Sequence, residues 1–247
     1  MDSNALHARV RAFIEASARA ARLPSRDGAA SGPKPQARAA GEPRGVPGGD
    51  SARPDGDPRE AAFDALAVDL ARFQIDRVAP VARLARSRGI APTDLRTAAD
   101  IPAIPTDVFR FARVAAHPAE QDVAVFRTSG TTAGARGAHP FRTLATYDAG
   151  ALAWGSRFLF EGRADLAVIS LTPPPDEAAD SSLVHMIALF AQAQAGPVTW
   201  HLAGGELDPR AVEHACESAR NQGHAVLLSG TSFAFVHLLD AAARHDL

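Results

Sequence analysis

The chain has 247 residues, a formal net charge of −2 at pH 7 and 46% hydrophobic residues, a composition typical of a soluble globular protein. The near-neutral charge argues against a nucleic-acid partner, and the single cysteine, Cys216, excludes an intrachain disulfide. No spacing of Cys and His suits a metal site, no apolar run is long enough to span a bilayer, and the N-terminus lacks the apolar core of a signal peptide. We therefore expect a cytoplasmic protein.

The N-terminal part divides into a helix and a segment of low complexity. Residues 1–23 are predicted to hold a helix, because Leu6, Val10 and Phe13 recur near helical spacing. Residues 24–58 are rich in Gly and Pro and contain no aromatic residue. Such a segment buries too little apolar surface to offset its ordering entropy, so we interpret it as a disordered insert.

Residues 59–247 are predicted to form one further domain that begins with helices. Apolar residues from Ala62 to Phe73 mark a helical face. A second helix follows, with Gly89 suited to its C-terminal cap. The two prolines in the segment 101–109 favour extended backbone there.

An alternation of strands and helices follows and predicts an α/β fold. We expect a mostly parallel sheet flanked by helices and preceded by the helical segment. Asp180 is predicted to cap one of the helices, and Asp208 with Pro209 to begin the next. The predicted strands are 123–126, 166–171, 198–201 and 225–228, and the predicted helices are 146–160, 181–194, one that begins at 209, and 231–245.

The segment 126–139 carries the strongest functional signal. It follows a strand, and four hydroxyl residues alternate in it with three glycines: Thr128, Ser129, Thr131, Thr132, Gly130, Gly134 and Gly137. Glycines let backbone N–H groups approach a ligand, and together with hydroxyls they form a concave site for phosphate oxygens. Arg136 adds a positive charge. The Walker A and nucleophile-elbow patterns are both missing, so we predict another kind of phosphate-binding loop, with an ordinary Ser/Thr/Gly turn as the alternative.

The stretch Thr128-Ser-Gly-Thr-Thr132 resembles the phosphate-binding signature of adenylate-forming enzymes. Within that superfamily the chain looks most similar to the acyl-protein synthetases of the LuxE type, from the bacterial fatty-acid reductase complex of bioluminescence. Three further features support this narrower resemblance over 59–247: the segment 101–109, the pair Arg136 and His139, and the segment 173–186.

The resemblance implies the N-terminal subdomain fold of adenylate-forming enzymes and the use of ATP and Mg²⁺. A fatty acid or another carboxylate would be activated as an acyl-adenylate and transferred to a protein cysteine, with an acyl-acceptor or reductase protein as partner. It also implies roles for particular residues. The expected cofactor-binding residues are Thr128, Ser129, Gly130, Thr131, Thr132, Gly134 and His139. The expected catalytic residues are His185 and Arg136, and the expected substrate-binding residues are Ser182, Gly230, Thr231 and Ser232.

Alternatives to these roles come from ordinary helix chemistry. Ser182 could serve in helix capping, and the segment from Gly230 could combine a helix cap with core packing. His185 and His139 could be structural histidines. Cys216 lies near the apolar face of its helix and is interpreted as a buried thiol.

The sequence also departs from the family pattern. Ala133 stands between the second Thr and Gly134. The resemblance further implies a Gly-Gly motif, a second nucleotide-binding motif, a C-terminal lid with a catalytic lysine and an acceptor cysteine, which the sequence lacks. We therefore expect a fragment or a truncated family member. An acyl- or aryl-CoA ligase and a non-catalytic remnant that binds a nucleotide or a partner are the alternative functions.

Overall fold

The computed structural model describes residues 2–20, 57–128 and 135–245. Its α-helices are α1 Ser3–Ala20, α2 Pro58–Arg77, α3 Ala79–Ser87, α4 Val108–Phe111, α5 Ala145–Phe158, α6 Ser182–Gln192, α7 Pro209–Asn221 and α8 Ser232–His245. Its strands are β1 Ala124–Arg127, β2 Ala138–Phe141, β3 Ala167–Leu171, β4 Val198–Trp200, β5 Leu202–Ala203, β6 Glu206–Leu207 and β7 Val226–Gly230. The fold is thus mixed α/β, as predicted, and its N-terminal part is helical.

Side-chain caps begin several helices where the sequence predicts a start. Asp57 accepts from the Arg59 N–H, and Pro58 occupies the first turn of α2. Asp208 accepts from the N–H groups of Arg210 and Ala211, which confirms the predicted start of α7. The expected cap of α6 is wrong by one residue, because the Ser181 hydroxyl, and not Asp180, accepts from the Val184 N–H. Asp180 has another partner, Arg136.

The centre of the fold is a three-stranded parallel sheet with the order β4-β3-β7. All five residues of β3 are buried, as expected for a central strand covered on both faces. Ile169 and Leu171 pack with Val212 of α7 and Ala234 of α8. A second cluster on α6 and its neighbours joins Phe160, Leu166 and Phe190. The sheet is therefore enclosed by helices.

The prediction of one mostly parallel sheet needs a correction. β1 pairs antiparallel with β2, and β5 pairs antiparallel with β6, each in a separate two-stranded sheet. Because β2 follows β1 after a short loop, the two strands form a hairpin, which requires antiparallel pairing. Neither β2 nor the β5–β6 pair was predicted, since strands this short carry little alternating pattern.

The N-terminal helices pack against the hairpin side of the molecule. Helix α1 contacts α5 and α2, and its Arg9 forms a salt bridge of 2.8 Å with Asp69 of α2. Gly89 ends α3 with φ of +66°, the left-handed conformation that the sequence predicts for this cap. The predicted insert of residues 24–58 lies outside the described residues, apart from Asp57 and Pro58 at the start of α2.

Helix α8 leaves one face uncovered among the described residues. Phe233, Val236 and Leu239 are 73%, 51% and 66% exposed, and their spacing of three residues places them along one side of the helix. Its opposite side holds the buried Ala234 and Ala241. None of the described helices combines the length and apolar character needed to cross a membrane.

Candidate functional site

The loop between β1 and β2 is closed at its base by two hydrogen bonds. The Thr128 N–H donates to the Gly137 carbonyl, and the Gly137 N–H donates to the Thr128 hydroxyl, each over 3.0 Å. A Cβ at position 137 would lie 3.1 Å from Cγ2 of Thr128 and 3.5 Å from Cβ of Phe109. Thr128 and Gly137 therefore form a tight closure that a larger residue at 137 would disturb.

Arg136 links this base to the start of α6 through hydrogen bonds. Its Nε donates to the Thr128 carbonyl over 2.6 Å, and its Nη1 donates to the Asp180 carboxylate over 2.7 Å. The backbone of Asp180 takes part as well, since its carbonyl accepts from the Arg127 N–H over 2.8 Å. The first turn of α6 is thus held directly beside the loop.

The predicted role of Arg136 as the cation for phosphate stays a prediction. In the structure its guanidinium contacts a carboxylate and the Thr128 carbonyl, so part of its charge is already neutralised by Asp180. Both side chains are 41% exposed, so water and ligands have access to the pair. Asp180 was not among the predicted site residues.

The tip of the loop, residues 129–134, lies outside the described residues. Five of the predicted phosphate-binding residues fall there: Ser129, Gly130, Thr131, Thr132 and Gly134. Their roles stay predictions. The described part of the site is therefore the loop base together with what surrounds it.

His185 lies in the first turns of α6 and pairs with Asp148 of α5. Nε2 of His185 and Oδ1 of Asp148 are 2.8 Å apart, and both side chains are 30% exposed. No described residue contacts Nδ1 through a hydrogen bond, so this nitrogen is available to a ligand. A histidine oriented by a carboxylate can donate a hydrogen bond to developing negative charge or transfer a proton.

An aromatic cluster links His185 to the hairpin. The His185 ring is 5.5 Å from the ring of Phe126 in β1 and 5.7 Å from that of Tyr147 in α5. The Tyr147 hydroxyl donates to the Ser182 carbonyl over 2.9 Å, and burial raises the pKa of this hydroxyl. Because Phe126 precedes Thr128 by two residues, the His185–Asp148 pair lies on the same side of the fold as the loop base.

His139 packs rather than forming a polar contact within the described residues. Its ring stacks on Phe109 with centroids 4.3 Å apart, and in the hairpin it lies opposite Phe126. The stack supports β2 directly after the loop. A contact between His139 and phosphate stays a prediction.

The predicted substrate-binding residues lie at the carboxyl ends of the parallel strands and at helix starts. Ser182 is the first residue of α6, and Ser181 provides that helix cap. Gly230 ends β7 opposite Leu171, and a Cβ there would be 2.7 Å from the Leu171 Cβ. Thr231 accepts from the Ala234 N–H over 3.2 Å and so caps α8.

Ser232, the remaining predicted substrate-binding residue, begins α8 and is exposed. The carboxyl edge of a parallel sheet is where such folds bind ligands. The structure brings Ser182 beside the loop base through Asp180, but no hydrogen bond joins the Gly230–Ser232 segment to that base among the described residues.

Four further polar side chains near this edge were not predicted from the sequence. Asp148 and Tyr147 lie on α5 and contact α6, 35 or more residues away in the chain. The hydroxyls of Ser170 and Thr172 are 2.8 Å apart and almost fully buried at the end of β3. A buried strand that ends in hydroxyl residues is a usable signal, whereas nothing local predicts the partner of Asp148.

Neither a reactive thiol nor a metal-binding cluster is found near this site among the described residues. Cys216 is half-buried, and burial raises the pKa of its thiol, which disfavours the reactive thiolate. Across residues 2–20, 57–128 and 135–245, no group of three or more His, Cys, Asp or Glu side chains is arranged to hold a metal ion.

Comparison with known proteins does not identify a family for this chain. A scan against models of protein families found no match, and a search of curated proteins found none. The resemblance to adenylate-forming enzymes rests on the sequence motifs alone, and function has to be argued from the residues of the site.

Proposed function

We propose that the chain binds ATP through the loop between β1 and β2 and forms the nucleotide-binding part of an AMP-forming ligase that activates a carboxylate. The observation that carries this is the Thr/Ser/Gly motif of 128–132 on a hairpin loop closed by the Thr128–Gly137 pair. A closed base limits the conformations of the loop, which lowers the entropy cost of arranging its donors around phosphate.

The neighbouring start of α6 supports an anion at this position. The N-terminal end of a helix carries unpaired N–H groups and a partial positive charge, and both favour phosphate. Asp180 and Arg127 hold this helix start against the loop base. Hydroxyl and N–H donors from the loop and the helix would thus converge on the triphosphate.

In the proposed reaction a carboxylate oxygen attacks the α-phosphorus of ATP. The new bond joins the acyl oxygen to phosphorus, and the bond to pyrophosphate breaks. A thiolate then attacks the acyl carbon and releases AMP, which leaves the acyl group on a protein cysteine. Mg²⁺ would be held chiefly by phosphate oxygens and water, which are its preferred ligands.

We assign His185 the task of stabilising negative charge at the α-phosphate. When the Nε2–H of His185 donates to Asp148, the carboxylate orients the ring, and a proton on Nδ1 would then be donated to a phosphate oxygen. This assignment is supported by the 2.8 Å pair and by the absence of another described partner for Nδ1. Fixed donors aimed at developing charge contribute strongly to catalysis.

A non-catalytic nucleotide- or partner-binding role is the second candidate. The observation that favours it is the Arg136–Asp180 contact of 2.7 Å, because a guanidinium neutralised by a carboxylate stabilises phosphate charge less. Under this alternative the loop binds nucleotide without the reaction, or a partner surface replaces the nucleotide.

Calorimetric titration with ATP and Mg²⁺ tests the proposal. The comparison is between the wild-type chain and the variant Ser129→Ala/Thr131→Ala/Thr132→Ala. Loss of hydroxyl donors to charged oxygens predicts an affinity at least about tenfold weaker in the variant. The matched control, Ser87→Ala/Ser218→Ala, removes hydroxyls outside the hairpin and is expected to bind like the wild type.

The outcomes separate the candidates. Binding that is lost only in the loop variant supports the phosphate site, and pyrophosphate release with an added carboxylate then separates the ligase from the non-catalytic candidate. A folded wild-type chain that does not bind ATP would overturn the nucleotide site.

A further inference from the structure

A cavity of about 440 Å³ lies between the N-terminal helices and the end of the hairpin. We call it the apolar chamber. Its walls include Leu6 and Val10 of α1, Leu70 and Phe73 of α2, Val81 of α3 and Phe141 of β2. The volume lies within the range of about 300–1,000 Å³ found for small-molecule sites, and it would hold roughly fifteen groups the size of a water molecule.

A second cavity of about 370 Å³ adjoins the chamber, and we call it the cationic vestibule. It is lined by Asn4, His7, Arg11, Arg142, Thr143 and Ala145. His7, Arg142 and Thr143 line both cavities, so the two spaces meet at these side chains. One end of the combined space is therefore basic and polar, and the other is mainly apolar, with Gln74 and His117 among its polar lining residues.

The two arginines of the vestibule have only neutral partners in the described part of the chain. Arg142 donates to the hydroxyl of Ser3 and to Oδ1 of Asn4, and Arg11 donates to the hydroxyl of Thr146. Neither guanidinium lies within 4.0 Å of a described carboxylate. Both side chains are half-buried and lack a described carboxylate, so they form a positive pair that can accept an anion.

Arg113 directly precedes Val114, which lines the chamber, and it pairs with a carboxylate. It makes two hydrogen bonds of 2.6 and 2.8 Å to Asp122, and His117 approaches the same carboxylate at 2.8 Å. Its charge is thereby matched within the fold. Arg11 and Arg142 line the vestibule without such a partner among the described residues.

The vestibule also disfavours further positive charge. His7 is 2.8 Å from the Thr146 hydroxyl, and its pKa is lowered first by burial and then by Arg142, Arg11 and His117. A bound anion would offset this repulsion.

We propose that the chamber and the vestibule together bind an aliphatic anion, with its single apolar tail in the chamber and its anionic head group against Arg142 and Arg11. A neutral apolar ligand would leave the two guanidinium groups unmatched. A small hydrophilic anion would leave the hydrocarbon walls unused. Only a molecule with both parts uses all the observed features, and a saturated chain of about ten carbons suits the volume.

This site is separate from the nucleotide loop and does not depend on it. Phe109 contacts both regions, because it lines the chamber and stacks on His139 of the hairpin. Titrations without ATP nevertheless test the anion site alone, because no nucleotide is present. Their failure would leave the nucleotide experiment untouched, and the reverse is also true.

The test is calorimetric titration of the full chain with four probes: decanoate, decyl phosphate, decanol and acetate. We expect decanoate to bind at least about tenfold more tightly than decanol, because charge-assisted hydrogen bonds are lost with the head group. Acetate is expected to show no measurable binding. Decyl phosphate distinguishes a site for any anionic head from one restricted to carboxylates.

Variants then locate the binding. Arg142→Gln is expected to weaken decanoate by about tenfold and to leave decanol unchanged, whereas Arg142→Lys keeps most of the affinity. Val81→Phe fills part of the chamber and is expected to weaken every probe that carries a tail. Arg19→Gln is the matched control, because Arg19 lies on α1 and is paired with Glu15.

Two results would overturn this site. Equal affinity for decanoate and decanol in the wild-type chain would remove the role of the positive pair. Absence of binding by a folded chain would remove the site altogether. Both titrations use the wild-type protein, so they remain decisive even if a variant fails to fold.

Discussion

The parallel sheet and the hairpin that carries the candidate site are held by different kinds of interaction. Every residue of β3 is buried, and Leu171 is fully enclosed among apolar neighbours. The base of the hairpin loop instead depends on Arg136 and Asp180, each 41% exposed. Apolar burial dominates folding energy, whereas exposed ion pairs contribute about 0–1 kcal/mol. Stability and site geometry therefore depend on different parts of the molecule.

The largest effect on stability is expected from Leu171→Ala in the sheet. Removing a fully buried side chain leaves a cavity, so the free energy of unfolding should fall by about 2–5 kcal/mol. Urea denaturation monitored by circular dichroism measures it. Leu239→Ala on the exposed face of α8 is the control and should change stability by less than about 0.5 kcal/mol. Similar losses in both variants would contradict the placement of the core.

Asp180→Ala is expected to change the affinity for ATP more than the free energy of unfolding. Since the Arg136–Asp180 pair is exposed, the free energy of unfolding should change by less than about 1 kcal/mol. The affinity for ATP should nevertheless fall, because the loop base loses its contact with the start of α6. Calorimetry and urea denaturation of the same variant give both values.

Arg136→Gln and the double variant complete a thermodynamic cycle for this contact. A coupling in ATP affinity that exceeds the coupling in stability would confirm that the pair positions the loop. Tighter ATP binding by Asp180→Ala would instead mean that the carboxylate competes with phosphate for Arg136. That result would favour the non-catalytic candidate for the native chain.

The titration of His7 in the vestibule is expected to have a smaller effect on the free energy of unfolding. Its pKa is lowered in the folded state, mainly by burial, from the usual value of about 6.5. The unfolded chain therefore binds a proton at a higher pH than the folded chain, so stability is lost as the pH falls below about 6.5. The loss levels off below the folded-state pKa.

The variant His7→Gln should reduce this loss without abolishing it, because burial also lowers the pKa of His201. The free energy of unfolding, measured in urea at several pH values between 8 and 5 on both chains, reports the difference. Identical pH profiles would contradict the lowered pKa of His7. Any constant offset between the chains reflects packing and not titration.

The fold was largely predictable where the pattern is local. The apolar run of β3, the Asp208–Pro209 start of α7 and the cap at Gly89 all follow from neighbouring residues, and the structure confirms them. The hairpin pairing of β1 and the cap of α6 were not predicted correctly. Two adjacent residues, Asp180 and Ser181, can both cap a helix; in the structure Ser181 does so, while Asp180 pairs with the distant Arg136.

The candidate site was predictable in its motif but not in its contacts. The hydroxyl and glycine pattern marks the loop within a few residues, whereas the pairs His185–Asp148 and Arg136–Asp180 join residues 37 and 44 positions apart. The vestibule likewise joins α1 to Arg142, which is 138 positions from Asn4. Such pairs depend on the tertiary fold, and no periodicity in one sequence encodes them.

Hydrogen–deuterium exchange with and without ATP and Mg²⁺ reports which segments the nucleotide protects, and so tests whether the loop between β1 and β2 binds it. We expect slower exchange in peptides that cover residues 128–137 and the first turn of α6, with little change in the parallel sheet. Nucleotide binding that protects other segments and leaves residues 128–137 unchanged would contradict this expectation.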